Sequence, residues 1–159
     1  MHPNVGRVVE AARSAGLEID VEQFPAGTRT AVDAARAVGC EVAQIVKSLI
    51  FMADGSPVVA LVSGANRVDL GRLAAAVSGN EVRRANGDEV RAATGFAIGG
   101  VPPFGHAREV RVVVDRDLLD HERVWAAAGL PDAVFAVGPT DLVRASGGTV
   151  ADLAETPRA

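Results

Sequence analysis

The sequence predicts an α/β domain of the α+β type, on three observations. The 159 residues suit one domain, spanning 1–159, and the 48% hydrophobic content supports a well-buried core. Stretches of strand pattern are interspersed with stretches of helical pattern without regular βαβ spacing, which points to a mixed or antiparallel sheet. No repeat, low-complexity tract or linker interrupts the chain.

The elements follow in order. Residues 3–15 read as a helix, with Pro3 in the first turn, a stripe of Val5, Val8, Val9 and Ala12, and Gly16 as its end. "LEIDVEQF" alternates as a strand, and "PAG" turns the chain. Thr30 is an N-cap for a helix through Val38, with Asp33 favourable in its first turn and Gly39 as its stop. Ile45–Ala53 and Pro57–Val62 form a hairpin about "ADGS". "NRVDLGRLAAAVSG" is a helix with Val68, Leu70, Leu73, Ala74 and Val77 as its apolar set, and "EVRRA" is a short strand. "NGDEVRAATG" is a helix capped by Asn86 and ended by Gly95. After the loop "FAIGGVPPFGH" comes a strand with Val110, Val112 and Val114 on one face, then a helical stretch around Trp125. "AVFAVG" is a strand, "DLVRAS" a last helix entered through Pro139 and Thr140, and "ETPRA" a frayed tail.

Composition narrows the function. No run of about 18 apolar residues is present to span a membrane, and the charged N-terminus does not read as a secretory signal. One cysteine, Cys40, leaves no intramolecular disulfide and fits the cytosol. The three histidines and the cysteine lack metal-ligand spacing. With a net charge of −4 there is no global basic field, so a nucleic acid would have to be held at a local patch. Arginines 67, 72, 83, 84 and 91 cluster in sequence, either as such a patch or as solvated surface charge.

Fifteen of the sixteen basic residues are arginine; Lys47 is the single lysine. On a strand it shares a face with Ile45, Leu49 and Phe51. Such a lysine either snorkels past the strand, meets an open face, or lines a pocket as an ammonium aimed at an anionic or carbonyl oxygen. In "AIGGVPPFGH", Gly99, Gly100 and Gly105 let the backbone approach a ligand, and Pro102 and Pro103 stiffen it. The loop is either a rigid turn or a preorganised set of N–H donors for a carbonyl oxygen. It matches neither a P-loop nor a dinucleotide fingerprint. His106, beside this turn, reads as a surface residue, Cys40 as structural, and Ser48 lies outside any G-x-S-x-G elbow. Asp141 in "GPTDL" is accounted for by the helix dipole alone.

Taken together, "VAQIVKSLIF", "AIGGVPPFGH" and "VFAVGPTDL" resemble the YbaK/prolyl-tRNA-synthetase-associated domain family, from about Phe24 to Leu142. The resemblance implies a mixed α/β domain on a strongly curved, largely antiparallel sheet with flanking helices. It implies freestanding trans-editing: hydrolysis of the ester joining a wrong amino acid to the terminal ribose of a tRNA, often that of proline. On the matching positions, Lys47 and the backbone of Gly99, Gly100 and Val101 are catalytic, the latter facing the substrate carbonyl or ribose. Phe24 and Thr30 wall the pocket, Asp141 takes the family's acidic position, and Ser48, Pro102 and Gly105 join them in substrate binding. No metal or cofactor is implied. The implied partners are the terminal adenosine and aminoacyl group of a mischarged tRNA, and an aminoacyl-tRNA synthetase or elongation factor; no membrane is involved. The chain has no tyrosine, where close YbaK relatives commonly carry one near Phe24, which counts against a cysteine-specific activity. A non-catalytic module binding an amino acid or aminoacyl nucleotide, and a small-ester hydrolase, are the alternatives.

Overall fold

The computed structural model describes residues 1–25, 28 and 30–156. Five helices are present: α1 (Pro3–Ser14), α2 (Ala31–Val38), α3 (Leu70–Val77), α4 (Gly87–Thr94) and α5 (Pro139–Ser146). Eight strands accompany them: β1 (Val21–Gln23), β2 (Val46–Ala53), β3 (Ser56–Ser63), β4 (Val82–Arg84), β5 (Arg111–Asp115), β6 (Val124–Ala127), β7 (Ala133–Val137) and β8 (Thr149–Ala151). They divide into a five-stranded sheet, β4-β2-β3-β5-β8, and a three-stranded sheet, β1-β7-β6. β3 pairs with β5, and β5 with β8, in parallel; the other ladders are antiparallel. The fold is thus the expected mixed α/β type, with the strands shared between two sheets that, among the described residues, are joined by one bridge, Ile45 to Trp125.

Burial explains the layering. Val58 to Ser63 of β3 are all buried, as befits a central strand covered on both faces. On one face Val59 and Leu61 pack with Val46 and Ile50 of β2, Val8 of α1 and Phe135 of β7 into the main core. On the other, Ala60 and Val62 pack with Phe51, Leu73 and Val77, so α3 covers the outer face. A third, smaller cluster joins Ala34 and Ala35 of α2 to Ile45 and Trp125.

Local chemistry sets the element ends. The Thr30 hydroxyl accepts the Asp33 N–H at 3.0 Å, and Gly39 ends α2 at φ +76°. Asn86 and Glu89 form a reciprocal capping box at the start of α4. The hairpin turn places Asp54 at φ +50° and Gly55 at φ +82°, the left-handed pair that matches strand twist.

Four expectations change. The strand expected over "LEIDVEQF" is limited to Val21–Gln23. The stretch around Trp125 is strand β6, because Val124, Ala126 and Ala128 alternate into the core. Leu70 is exposed, since Asp69 caps α3 and makes Leu70 its first residue. Ahead of the tail expected over residues 155–159 the chain adds strand β8, and Glu155 N–H donates to Arg67 O at 2.8 Å, so the first residue of that tail is held. Ala26 and Gly27 of the expected "PAG" turn, and Pro157–Ala159 of the tail, lie outside the described residues.

Candidate active site

β4 reaches only Phe51–Ala53 of β2, extended by one bond from Ala85 N–H to Ile50 O at 3.0 Å. The Ile45–Trp125 bridge holds the other end of the same edge. Between them, Lys47–Leu49 have a ladder partner only in β3, among the described residues. A cavity of about 500 Å³ opens on this free edge. Its walls come from β2, the start of α2, Arg84–Ala85, the glycine loop and Trp125–Ala127.

Lys47 lines this cavity, half-buried, and its Nζ donates to the Asn66 carbonyl at 2.5 Å. Burial pushes the ammonium below the ordinary lysine range; the positive charges of Arg84 and Arg67 add to this, and Asp115 opposes it. Ser48, the next residue, also lines the cavity, and its Oγ is buried without a hydrogen-bond partner among the described residues. A buried orphan hydroxyl costs about 1–3 kcal/mol, so it marks a position where a ligand can supply the missing bond.

The glycine loop is built as a brace. Gly99 sits at φ +94° and lines the cavity with Val101. Gly100 N–H donates to Ala97 O at 3.0 Å, closing a turn, and a Cβ there would lie 3.0 Å from the Leu130 backbone. Gly100 therefore lets the loop press against the β6–β7 connection, while its neighbours face the cavity. Gly105, at φ +78°, packs where a Cβ would meet Ala11 of α1 at 2.9 Å. The Pro102 carbonyl contacts His106 Nε2 at 2.7 Å. A carbonyl only accepts, so Nε2 carries the hydrogen. Burial pushes this imidazole below its ordinary value, against the pull of that bond.

The other expected site residues divide by position. Thr30 lines the cavity while capping α2. Phe24 is half-buried beside β7, its N–H donating to Asp132 O at 2.8 Å, and is not among the lining residues. Pro102 is buried behind the loop. Asp141 borders a separate shallow depression with His121 and Glu122, and pairs with Arg144 at 3.3 Å.

Among the lining residues that the sequence does not assign to the site, three are polar or aromatic. Thr28 is buried, and both its N–H and its hydroxyl donate to Pro131 O, at 3.2 and 2.5 Å. Arg84 lies at the cavity with its guanidinium 5.7 Å from the centre of the Phe51 ring. It makes no ion pair among the described residues, unlike Arg72, which pairs with Asp152, and Arg83, which pairs with Glu89. Trp125 presents half-buried aromatic surface beside α2. The arginine cluster was the only sequence signal for Arg84, and nothing local marked Thr28.

A half-buried cation, an orphan hydroxyl and close-approach backbone around one apolar cavity suit a small uncharged group joined to a polar or anionic one. This chain belongs to the aminoacyl-tRNA editing domain family, which matches residues 25–145. The YwhH protein of Bacillus subtilis is 30% identical over 125 residues, 79% of this chain and 80% of that protein. The proline–tRNA ligase of Maridesulfovibrio salexigens is 36% identical over 101 residues, 64% of this chain but 17% of the ligase, so the likeness spans a small part of that enzyme. A crystal structure of a candidate trans-editing enzyme for prolyl tRNA synthetase superposes with a TM-score of 0.92 at 47% identity, covering 98% of this chain and 99% of that one.

Proposed function

We propose that the protein is a freestanding trans-editing deacylase that hydrolyses the ester of a small amino acid mischarged onto tRNA, that of proline being the favoured acceptor. The observation that carries this reading is the one cavity lined by Lys47, Ser48, Gly99 and Val101 together. The apolar walls, among them Ala34, Val46, Ile50 and Val134, suit an uncharged aminoacyl side chain. Lys47 and Arg84 supply positive charge for the polar end of the substrate, a ribose oxygen or a phosphate.

In this mechanism water attacks the ester carbonyl. The carbon–oxygen bond to the ribose breaks, releasing the amino acid and a tRNA with a free terminal hydroxyl. Loop residues Gly99 and Val101 face the developing oxyanion; Gly100 shapes the loop, since its own N–H is committed to Ala97. Ser48 Oγ bonds the substrate at the position where the free protein leaves it unpartnered. His106 is fixed behind the loop by Pro102 and is not the base. The proton of the attacking water passes to the leaving ribose oxygen, relayed by the substrate's own amino group or vicinal hydroxyl. The mischarged tRNA is the partner, and the synthetase that produces it is the natural source of substrate.

The test is a deacylation assay over proline tRNA and a second tRNA, each charged with alanine, serine, threonine, cysteine or a small unnatural amino acid. Rapid release of one small uncharged residue is expected, with cysteine a poor substrate. Protein inert toward the whole panel that still binds aminoacyl-adenosine analogues would instead select a binding module. Activity confined to generic esters would select a small-ester hydrolase.

A further inference from the structure

The wall behind Lys47 is organised by a carboxylate that does not reach the cavity. Asp115, at the end of β5, is 1% exposed. Its Oδ2 accepts the Ser63 N–H at 3.1 Å and the Asn66 side-chain N–H at 2.9 Å, and its Oδ1 accepts the Asp117 N–H at 3.0 Å. All three donors are neutral. The parallel β3–β5 ladder, with Leu61 opposite Val114, brings this strand end beside Ser63.

The bonds to Ser63 and Asn66 close one short turn from both sides. Asn66 N–H donates to Ser63 O at 2.9 Å, so residues 63–66 fold back on themselves. The Asn66 carboxamide spends its second N–H on Asp117 Oδ2 at 2.8 Å. With its side chain pinned by two carboxylates, Asn66 presents its main-chain carbonyl to Lys47 Nζ. We propose that Asp115 is a positioning residue for the site: through Ser63 and Asn66 it sets the carbonyl that holds the Lys47 ammonium against the cavity wall.

The surrounding charges fit this arrangement. Lys47 faces Arg84 from β4 and Arg67 from the turn, both of which disfavour its ammonium, and Asp115 from β5, which favours it. Asp117 joins this arrangement by accepting the second Asn66 side-chain N–H. A buried carboxylate held by neutral donors alone carries a desolvation cost, and the nearby ammonium offsets part of it. Asp115 thereby supports both the place and the charge of the lysine. This inference rests on the reading of Lys47 as the substrate-facing cation.

Because the chain has one lysine, selective ¹³C labelling of lysine gives one side-chain titration, and it needs no substrate. Asp115→Asn removes the favourable charge and should lower the Lys47 titration midpoint. Asn66→Ala leaves Asp115 and the main-chain carbonyl of residue 66 intact but releases the turn from both carboxylates; that carbonyl is then no longer held against the ammonium, and the midpoint should fall here also. The second variant serves if the first does not fold. A folded variant of either kind with the wild-type midpoint would overturn the proposal, whatever the deacylation assay finds. For an active wild type, a matching loss of kcat/KM in both variants, with folding intact by circular dichroism, is the expected companion result.

Discussion

Ser48 and Lys47 are adjacent on one strand and stand in opposite energetic situations. The lysine is partnered by the Asn66 carbonyl, whereas the serine hydroxyl is buried and unpartnered. Ser48→Ala removes the orphan without opening a large void, so thermal stability is expected to stay level or rise by up to about 1 kcal/mol. On the proposed reading the same change removes a bond to bound substrate, and KM should rise about fivefold on the usual worth of one neutral hydrogen bond. Calorimetry and steady-state deacylation check the two halves; lower stability with unchanged KM would make the hydroxyl structural. Gly100 gives the complementary case. A Cβ there meets Leu130 backbone atoms at 3.0 Å, and backbone cannot swing aside as a side chain can. Gly100→Ala should cost about 1–3 kcal/mol in chemical denaturation, through the loop's seat on the β6–β7 connection.

At the scale of elements, the glycine loop is held by contacts at both ends, Ala97 with Gly100 and Pro102 with His106. Burial of the His106 ring at the second contact makes stability depend on pH. The His106 value is lowered in the folded protein, so the unfolded chain binds its proton first as pH falls. The stability contribution is whole above the ordinary histidine value near 6.5 and is lost as pH drops through the lowered folded value. His106→Gln, whose amide can still donate to Pro102, should flatten this acid-side decline in a series of melting curves. An unchanged slope would place the decline elsewhere.

Elements were legible in the sequence where local chemistry defines them. Thr30 with Gly39, Asn86 with Gly95, and the Asp54–Gly55 turn each declare a boundary within a few residues. Trp125 was misread because "VWAAAG" carries alanines of high helix propensity, while its strand state depends on pairing with Val134–Val137. β8 is three residues long, too short to show a period. The site was legible in part. Lys47 and the loop stand out by residue type, but the cavity they border is closed by contacts such as Thr28 to Pro131, 103 positions apart. Asp141 matched by motif, yet the fold carries it to a different depression.

For the whole molecule, electrostatics limit how tRNA is held. The net charge of −4 provides no general attraction, and two of the five arginines of the cluster are engaged in ion pairs: Arg72 with Asp152, Arg83 with Glu89. On the proposed reading, binding rests on a few cations at the cavity, Arg84 foremost. Affinity for tRNA should be weak and fall with salt, with a slope of about −0.7 per phosphate engaged on a single-stranded end. Arg84→Ala should reduce that slope by about one phosphate, measured by fluorescence anisotropy across a salt series. Salt-independent binding would contradict this distribution of charge. The central claim is that the cavity on the free edge of β2 is where the ester is cleaved, with Lys47 as its cation. Single-turnover deacylation of the preferred mischarged tRNA by wild type and Lys47→Ala tests it most directly. A charge-assisted hydrogen bond is worth about 1.5–3 kcal/mol, so the rate should fall roughly 10- to 10²-fold; a folded Lys47→Ala protein with the wild-type rate would contradict it.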